Sequence, residues 1–581
     1  MILLITIHLP ILLACLLPLL GGRGRVAGSL GWLAAVPAVV LAWSGLILTE
    51  TEFPFLFLGS VLALDTLAGM FLALTATLWG IAGWFAADSL RGDPRRRRFQ
   101  TFFLLSMAGN FGLIAAADLI TFYGFFVLMT FAAYGLVIHQ DKPMARRAGR
   151  VYLIMSLVGE VLLLSAMMLA VNAGGGALRF DELAPAIAVS DQRDWICALA
   201  FLGFGVKAGI VPLHFWLPLA HPVAPAPASA VLSGAMIKAG LIGWMNLLPL
   251  GLAALPDSAL VVMALGFTAA FGAAVVGLCQ ADPKTILAYS SISQMGLITV
   301  LVGLALAQPE LWPLAGPALA LFALHHGLAK GALFLGAGLL PGCRGRARRL
   351  VWSGLWVPAL AIASAPFTSG ALAKYGLKDI ASRSEVFHGP LVVWLLALSS
   401  VTTSLLLGRF LWRLGRGPKA MAGKSTGPGT AASAAFGASI LAAALATHLA
   451  RSHFNLALPA PGLSPAVLFD SLWPLALAGL LFTGFFRLAP ARLQRLRIPA
   501  GDAVVVFERL LRALRRQMPT NWGRWWDREF LNIAALSDRI MAMETSKAVV
   551  NRIEGRLGSW SLVGVLVFAL VLGMIALLLL F

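Results

Sequence analysis

Apolar segments of about twenty residues recur along almost the whole chain and alternate with short polar connections. Each segment is long enough to cross a hydrocarbon core of roughly 30 Å as a helix, and the segments lack the strict alternation of barrel strands. We therefore expect an all-α, polytopic membrane protein with about 14–16 transmembrane helices. The predicted spans lie near residues 1–20, 30–49, 62–87, 100–117, 119–139, 151–173, 195–215, 229–252, 258–279, 286–306, 314–340, 351–382 (broken), 389–412, 429–449, 465–486 and 559–581.

Two of these segments are interrupted by proline close to a lysine. Lys207 is followed by Pro212, and Pro366 precedes Lys374. Paired interruptions, each with an ionisable residue, are typical of inverted repeats that hold ion sites at midplane depth. The alternative is a pair of kinked helices whose lysines reach the membrane interface.

Composition changes after the last of the central spans. From Arg487 to about Leu557 the sequence is basic and amphipathic, with Trp522, Trp525 and Trp526 beside an arginine-rich face. This pattern predicts a lateral helix at the cytoplasmic interface, or a short surface helix followed by a loop. The chain then divides into N-terminal transmembrane helices (1–99), a first antiporter-like repeat (100–252), a second repeat (253–412), C-terminal transmembrane helices (413–486), the amphipathic lateral segment (487–558) and a final transmembrane helix (559–581).

Charge supports this topology. Hydrophobic residues make up 59% of the 581 residues, charged residues 12%, and the formal net charge is +19. In a soluble protein this charge would suggest nucleic acid, but the Lys and Arg residues cluster in alternate connections, so we expect no nucleic-acid partner. The positive-inside rule places these connections in the cytoplasm and both termini on the outer side of the cell (inner) membrane. The basic connections are at 23–25, 91–98, 142–150, 284, 344–349 and 413–424.

Metal and cofactor signatures are missing from the sequence. The four cysteines have no C-x-x-C spacing, and no glycine-rich phosphate loop follows a strand. We therefore expect no metal, no cofactor and no catalytic redox chemistry in this chain.

Ionisable residues at membrane depth are the candidate functional groups. A lysine near the bilayer centre costs roughly 2.5 to 3.5 kcal/mol on insertion scales, so such residues are rare unless they pair or line a wet cavity. Proton transfer requires a series of ionisable residues at similar depth. Histidine suits this role because its side chain titrates near neutral pH. The candidates are Glu160, Lys207, Lys238, His325, His326, Lys330 and Lys374.

Four motifs carry a resemblance to a known family. They are GFGVKAGIVPLHFWLPLAHPVAP from Gly203, DPKTILAYSSISQMGL from Asp282, HHGLAKGALFLGAG from His325, and SGALAK ending at Lys374. Over roughly residues 60–410 the chain resembles the proton-conducting, antiporter-like subunits of respiratory complex I, Mrp-type antiporters and membrane-bound hydrogenases. The first motif is most similar to the large antiporter-like membrane subunit of hydrogenase-4 and formate hydrogenlyase.

The resemblance implies a proton path at the membrane midplane, coupled to a redox module on partner subunits. Position by position, it assigns Lys207 to the first broken helix and Lys238 to the connecting helix. It assigns His326 and Lys330 to the central pair, and Lys374 to the second broken helix. Because adjacent histidines point to different helix faces, only His326, not His325, is expected on the path.

One position departs from the family. The glutamate that normally pairs with the first broken-helix lysine is replaced by Val127. Glu160, on the next helix, is expected to take over this role if its side chain faces Lys207. The alternative is that Glu160 only neutralises another neighbour.

Three functions stay open on the sequence. The first is a proton-translocating subunit of a redox-driven complex related to hydrogenase-4 and complex I. The second is an Mrp-like cation/proton antiporter or an inorganic-carbon uptake subunit, and the third, motivated by Val127, is a non-translocating scaffold. The expected partners are other membrane subunits, the lipid bilayer, and protons or sodium.

Overall fold

The computed structural model describes residues 2–17, 24–46, 48–53, 59–385, 389–417, 429–462, 464–488, 498–501 and 505. These residues are helical apart from turns, connections and one antiparallel hairpin, β1 (Leu48–Phe53) and β2 (Ser60–Leu64). Residues Met1–Ala14 and Arg23–Ala500 form one unit by their contacts, and the description that follows concerns this unit.

The helices are α1 (Ile2–Leu16), α2 (Gly24–Leu33), α3 (Val36–Trp43), α4 (Thr66–Ser89), α5 (Arg96–Ala115), α6 (Leu119–Val137), α7 (Pro143–Ala173), α8 (Phe180–Val189), α9 (Arg193–Ala208), α10 (Trp216–Val223), α11 (Ala226–Val231), α12 (Lys238–Leu247), α13 (Pro256–Leu278), α14 (Pro283–Ala307), α15 (Trp312–Leu339), α16 (Gly345–Gly354), α17 (Trp356–Ile362), α18 (Ser369–Ser382), α19 (Gly389–Gly415), α20 (Thr430–His453) and α21 (Pro465–Leu488). A π-helical turn, Leu232–Met236, joins α11 to α12.

The all-α membrane class is confirmed. Among the described residues, 10 helical segments are long and apolar enough to cross a membrane. Every predicted span that falls within the described ranges coincides with a helix, a kinked pair or a broken pair. The predicted final span, 559–581, and most of the lateral segment, 487–558, lie outside the described residues, so they stay predictions.

The described basic connections, at 91–98, 142–150, 284, 344–349 and 413–417, gather at one end of the helices, here named the basic side. An ion pair of 3.3 Å between Arg95 and Asp141 joins the α4–α5 and α6–α7 connections. At the same end, Arg413 Nε donates to the carbonyl of Ala281 over 2.9 Å, which joins the end of α19 to the α13–α14 connection. The other ends of the helices, including the α5–α6 and α7–α9 connections, form the opposite side.

Ion pairs outside the membrane spans stabilise the connections on the basic side and those on the opposite side. On the basic side, His139 Nε2 lies 3.0 Å from Asp93 Oδ2. Partial burial raises the pKa of the Asp93 carboxyl. Hydrogen bonds from His139 and the Arg95 amide outweigh burial and leave this pKa below its usual value. Burial lowers the pKa of the His139 imidazole despite that partner. On the opposite side, hydrogen bonds from Arg179 lower the pKa of Asp181.

The first broken helix is formed by α9 and α10. Helix α9 ends one residue after Lys207, and Gly209 follows in the left-handed region with φ of 73°. A residue with a side chain is strained there, so glycine suits the break. Trp216 of α10 donates from its indole N–H to the carbonyl of Val206 over 2.8 Å. The break therefore exposes fewer unpaired backbone groups, as a membrane interior requires.

The second broken helix is formed by α17 and α18. Between them, Ser364 and Phe367 adopt positive φ angles of 61° and 63°. Non-glycine residues are uncommon in this region and mark a connection whose backbone is held by its surroundings. The pair α9–α10 runs from the opposite side to the basic side, whereas α17–α18 runs the other way. This reversal is what inverted repeats require; the repeat boundaries themselves stay a prediction.

Candidate functional site

Lys207 is buried at the end of α9 and is held by neutral oxygens. Its Nζ donates to Thr130 Oγ1 on α6 and to the Tyr152 hydroxyl on α7, each over 3.0 Å. Tyr152 in turn donates to the carbonyl of Thr130 over 2.8 Å. The ammonium also lies 5.8 Å from the ring centre of Phe126. Lys207 is thus bound by α6 and α7 without a carboxylate within 4 Å among the described residues.

Glu160 shares a small cavity with Lys207. The cavity is lined by both side chains together with Thr130 and Ser156. Glu160 is buried, and neither carboxylate oxygen has a hydrogen-bond partner within 3.5 Å in the described part of the chain. The hydroxyl of Tyr123 on α6 is near enough to interact with the carboxylate. The structure therefore brings Glu160 to the correct cavity but does not form a direct ion pair with Lys207. Its role as the replacement carboxylate stays a prediction.

The π-helical turn positions Lys238, which is fully buried. This turn contains one extra residue compared with an α-helical turn, and such insertions are frequent at functional sites. Lys238 Nζ donates to the carbonyl of Ser233 within the turn over 2.9 Å. It also lies 2.9 Å from His326 Nδ1 on α15. Because a neutral imidazole nitrogen accepts and a protonated one donates, this contact can hold a proton on either partner.

Two serines connect this pair to Lys330. Ser233 and Ser291, on α14, have their hydroxyl oxygens 2.7 Å apart. Ser291 donates to the carbonyl of Leu287 over 3.0 Å, so Ser233 is the donor in the serine pair. The same carbonyl accepts from Lys330 Nζ over 3.0 Å. We name His326, Lys238, Ser233, Ser291 and Lys330 the central group.

Lys374 is buried in α18 and is also bound by neutral groups. Its Nζ donates to Ser399 Oγ over 2.8 Å and to Ser400 Oγ over 2.6 Å, both on α19. A small cavity beside it is lined by Lys378 and Asp470, which form an ion pair. Lys374 therefore does not extend to the interface, which was the alternative interpretation of the sequence.

Two glycines allow the close packing around the central group. An added Cβ on Gly234, in the π-helical turn, would lie 2.6 Å from the carbonyl oxygen of Gly327 and 2.2 Å from a methyl carbon of Leu78. An added Cβ on Gly327 would lie 2.4 Å from the carbonyl oxygen of Gly234. Contacts under 3 Å force the backbones apart. The distance between Lys238 and His326 depends on this contact, since they are near neighbours of the two glycines.

The first expected result concerns this contact. Gly234→Ala should lower the stability of the detergent-solubilised protein by about 1–3 kcal/mol, because overpacking forces the helices apart. The matched control is Gly272→Ala, since a Cβ at Gly272 meets nothing within 4 Å. Thermal unfolding of both variants measures the difference. Equal unfolding temperatures for Gly234→Ala and the wild type would contradict the packing argument.

No metal cluster accompanies these residues. Within the described ranges, no group of three or more His, Cys, Asp or Glu side chains is arranged to hold a metal ion. The ring nitrogens of fully buried His221 have no partner there, and the ring stacks on Phe334 with centres 4.5 Å apart.

The sequence reasoning missed the neutral partners of the lysines. Thr130 and Tyr152 bind Lys207, and Ser399 binds Lys374, yet none of them is charged at neutral pH. A hydroxyl in an apolar helix is a weak signal, because serine and threonine also bond to their own backbone there. The Ser291 and Ser399 motifs, SSISQ and LSSVTTS, contain several hydroxyls in a row and were the available hint.

Comparisons with known proteins agree with the fold. The transmembrane family described as NADH:quinone oxidoreductase/Mrp antiporter matches residues 116–382, a range that contains all the candidate lysines. NADH-quinone oxidoreductase subunit N of Desulforudis audaxviator (strain MP104C) is 31% identical over 359 residues, covering 57% of this chain and 70% of that protein. The chain belongs to the NADH:quinone oxidoreductase/Mrp antiporter family.

Hydrogenase-4 component B of Escherichia coli (strain K12) is another relative. It is 29% identical over 384 residues, which cover 60% of this chain and 56% of that protein. This chain therefore spans little more than half the length of that relative. A solved chain of the membrane-bound sulfane sulfur reductase, an archaeal respiratory membrane complex, has a TM-score of 0.68 at 20% identity, covering 95% of this chain and 99% of that chain. The predicted resemblance and fold are confirmed.

Proposed function

We propose that this chain is a proton-translocating, antiporter-like membrane subunit of a redox-driven complex. The observation that carries the proposal is the central group, in which Lys238 contacts His326 in the buried interior. The Ser233–Ser291 pair links the backbone carbonyls that accept from Lys238 and Lys330. Burying two lysines without carboxylates is costly, so the arrangement has a purpose other than stability.

The proposed route follows the buried lysines across the membrane midplane. A proton loads at Lys207 beside Glu160, passes to the central group, and leaves through Lys374. Within the central group, the Lys238–His326 contact transfers the proton between an amine and a ring nitrogen. The serine pair orients the polar groups between Lys238 and Lys330. The amine of Lys238 and the imidazole of His326 can each bind and release a proton, whereas the carbonyls of Ser233 and Leu287 only accept and hold the lysines in place.

The relatives support the proposed partners, and the charge pattern supports the proposed location. Hydrogenase-4 component B and NADH-quinone oxidoreductase subunit N are named as parts of redox enzymes, which supports a redox module on neighbouring subunits. The gathering of the basic connections on one side supports a cytoplasmic position for that side in the cell membrane. Both termini then lie on the outer side.

A flux measurement tests the proposal. The chain is purified with the subunits that remain bound to it and is reconstituted in vesicles. A potassium diffusion potential is applied with valinomycin, and internal pH is followed with a fluorescent dye, first without sodium and then with a sodium gradient. We expect proton flux without sodium, and iron–sulfur or hydrogenase-like subunits among the co-purified chains.

Each other outcome favours a different function. Proton flux that needs a sodium gradient favours the Mrp-like antiporter, an alternative motivated by the family itself. No flux under either condition favours the scaffold, the alternative motivated by Val127.

A further inference from the structure

His325 contacts a different set of helices from its neighbour His326. Its Nδ1 lies 3.0 Å from Ser369 Oγ at the start of α18. Ser369 donates to the carbonyl of Ala443 on α20 over 2.6 Å. The serine proton is therefore engaged, so the His325 ring nitrogen is the donor in the other contact. His325 thus joins α15 to α18 and α20, away from the Lys238 contact of His326.

A cavity opens to the opposite side beside this contact. It is lined by Pro366 and Thr368 from the second helix break, by His448 and Arg451 from α20, and by the α20–α21 connection. Phe367, in the same break, is 77% exposed. Because Thr368 lines the cavity, Ser369 lies only one residue away from it.

A buried hydroxyl, that of Thr447, lies on α20, the helix that contacts Ser369 and lines the cavity. Thr447 is fully buried on α20, one turn beyond Ala443 and next to His448. Its hydroxyl has no hydrogen-bond partner within the described part of the chain. An unpaired buried hydroxyl is destabilising, and a bound water removes this cost. A water at this point would bridge the Ser369 region and the cavity.

His325 directly precedes His326, whose ring contacts Lys238 of the central group. It is also near enough to Lys238 and to His448 in the cavity to interact electrostatically with both. His326 interacts in the same way with Lys330 on α15. His325 therefore adjoins the central group through α15 and the cavity through Ser369 and α20.

We propose that His325 and His448 form a second outlet, which leads from the central group to the opposite side without passing Lys374. The inference rests on the proposed function. His325 takes a proton at Nε2 and releases the one at Nδ1 to Ser369, while the Ser369 hydroxyl turns away from the Ala443 carbonyl and releases its own proton into the cavity toward His448. The ring ends neutral, and one proton has moved into the cavity.

The second outlet and the Lys374 route meet in one vestibule. The small cavity beside Lys374 shares Ala371, Pro461, Val467 and Ser471 with the larger cavity. The two routes therefore run in parallel from the central group to a common exit, and blocking one leaves the other open.

The test removes the outlets one at a time in reconstituted vesicles. Lys374→Met alone should leave measurable proton flux. Adding His325→Gln, or His448→Gln, to Lys374→Met should lower that remaining flux at least ~10-fold, because a positioned proton-transfer group is lost. His453→Gln is the matched control, since it removes a histidine from the same helix that stacks on Trp43 outside the cavity. That control should leave the flux unchanged.

Two results overturn the second outlet. One is an active wild type whose flux is abolished by Lys374→Met alone, which makes Lys374 the sole exit. The other is a Lys374→Met background in which neither histidine substitution changes the flux. If the His325 variant fails to fold, the exposed His448 decides the question alone. A wild type without flux contradicts the proposed function instead.

Discussion

Lys238→Met should lower proton flux at least ~100-fold in reconstituted vesicles, because the residue at the centre of the route can no longer hold a proton. The substitution removes the donor to the Ser233 carbonyl and the partner of His326 Nδ1. Methionine keeps a similar volume and an unbranched stem, so the surrounding packing remains. Replacing a buried charge with an apolar side chain is often neutral or stabilising, so we expect a folded protein.

Lys142→Met is the matched control for this substitution. Lys142 is an exposed lysine at the start of α7 and makes no side-chain cap there. Its loss should leave both flux and thermal unfolding at the wild-type level. Wild-type flux in a folded Lys238→Met variant would show that protons do not pass through the central group.

Glu160→Gln should reduce the flux by a comparable factor, at least ~100-fold, if the carboxylate loads Lys207. The amide occupies the same volume in the cavity but neither binds a proton nor carries a charge. Since Glu160 has no hydrogen-bond partner among the described residues, little structural support is lost. The same vesicle assay measures the effect, and exposed Glu310, replaced by Gln, serves as the control.

A second substitution tests whether Glu160 replaces the glutamate that the family usually has at position 127. Val127 lies on α6, one turn before Thr130, which binds Lys207. Adding Val127→Glu to Glu160→Gln should restore much of the flux, because the charge returns to the usual position of the family. Wild-type flux in Glu160→Gln alone would remove the carboxylate from the route.

The helices were largely predictable from the sequence, for a physical reason. A membrane interior forces the backbone to satisfy itself within each span, so apolar runs become helices, and proline near lysine indicates a break. The hairpin of β1 and β2 was not predicted, because apolar and polar residues do not alternate clearly in this short part of the sequence. The π-helical turn Leu232–Met236 was also missed, since one inserted residue leaves the hydrophobic pattern unchanged.

The site was only half predictable. Buried lysines and histidines are conspicuous in an apolar chain, and the family resemblance gave their order. Their partners depend on which helices pack together: Ser233 and Ser291 are 58 residues apart and meet only in the fold. Glu160 was expected to face Lys207, and the two side chains line one cavity while Thr130 and Tyr152 bind the ammonium, so its role as the replacement carboxylate stays a prediction.

The composition of the central group also bears on ion selectivity. Its members are two amines, an imidazole and two hydroxyls, whereas a carboxylate lines the cavity at each end of the proposed route, Glu160 beside Lys207 and Asp470 beside Lys374. A sodium ion needs a shell of oxygen ligands to replace its water. At the centre it would instead meet groups that carry positive charge when protonated. Under the proposed function, the middle of the route therefore favours proton transfer over the binding of a metal cation.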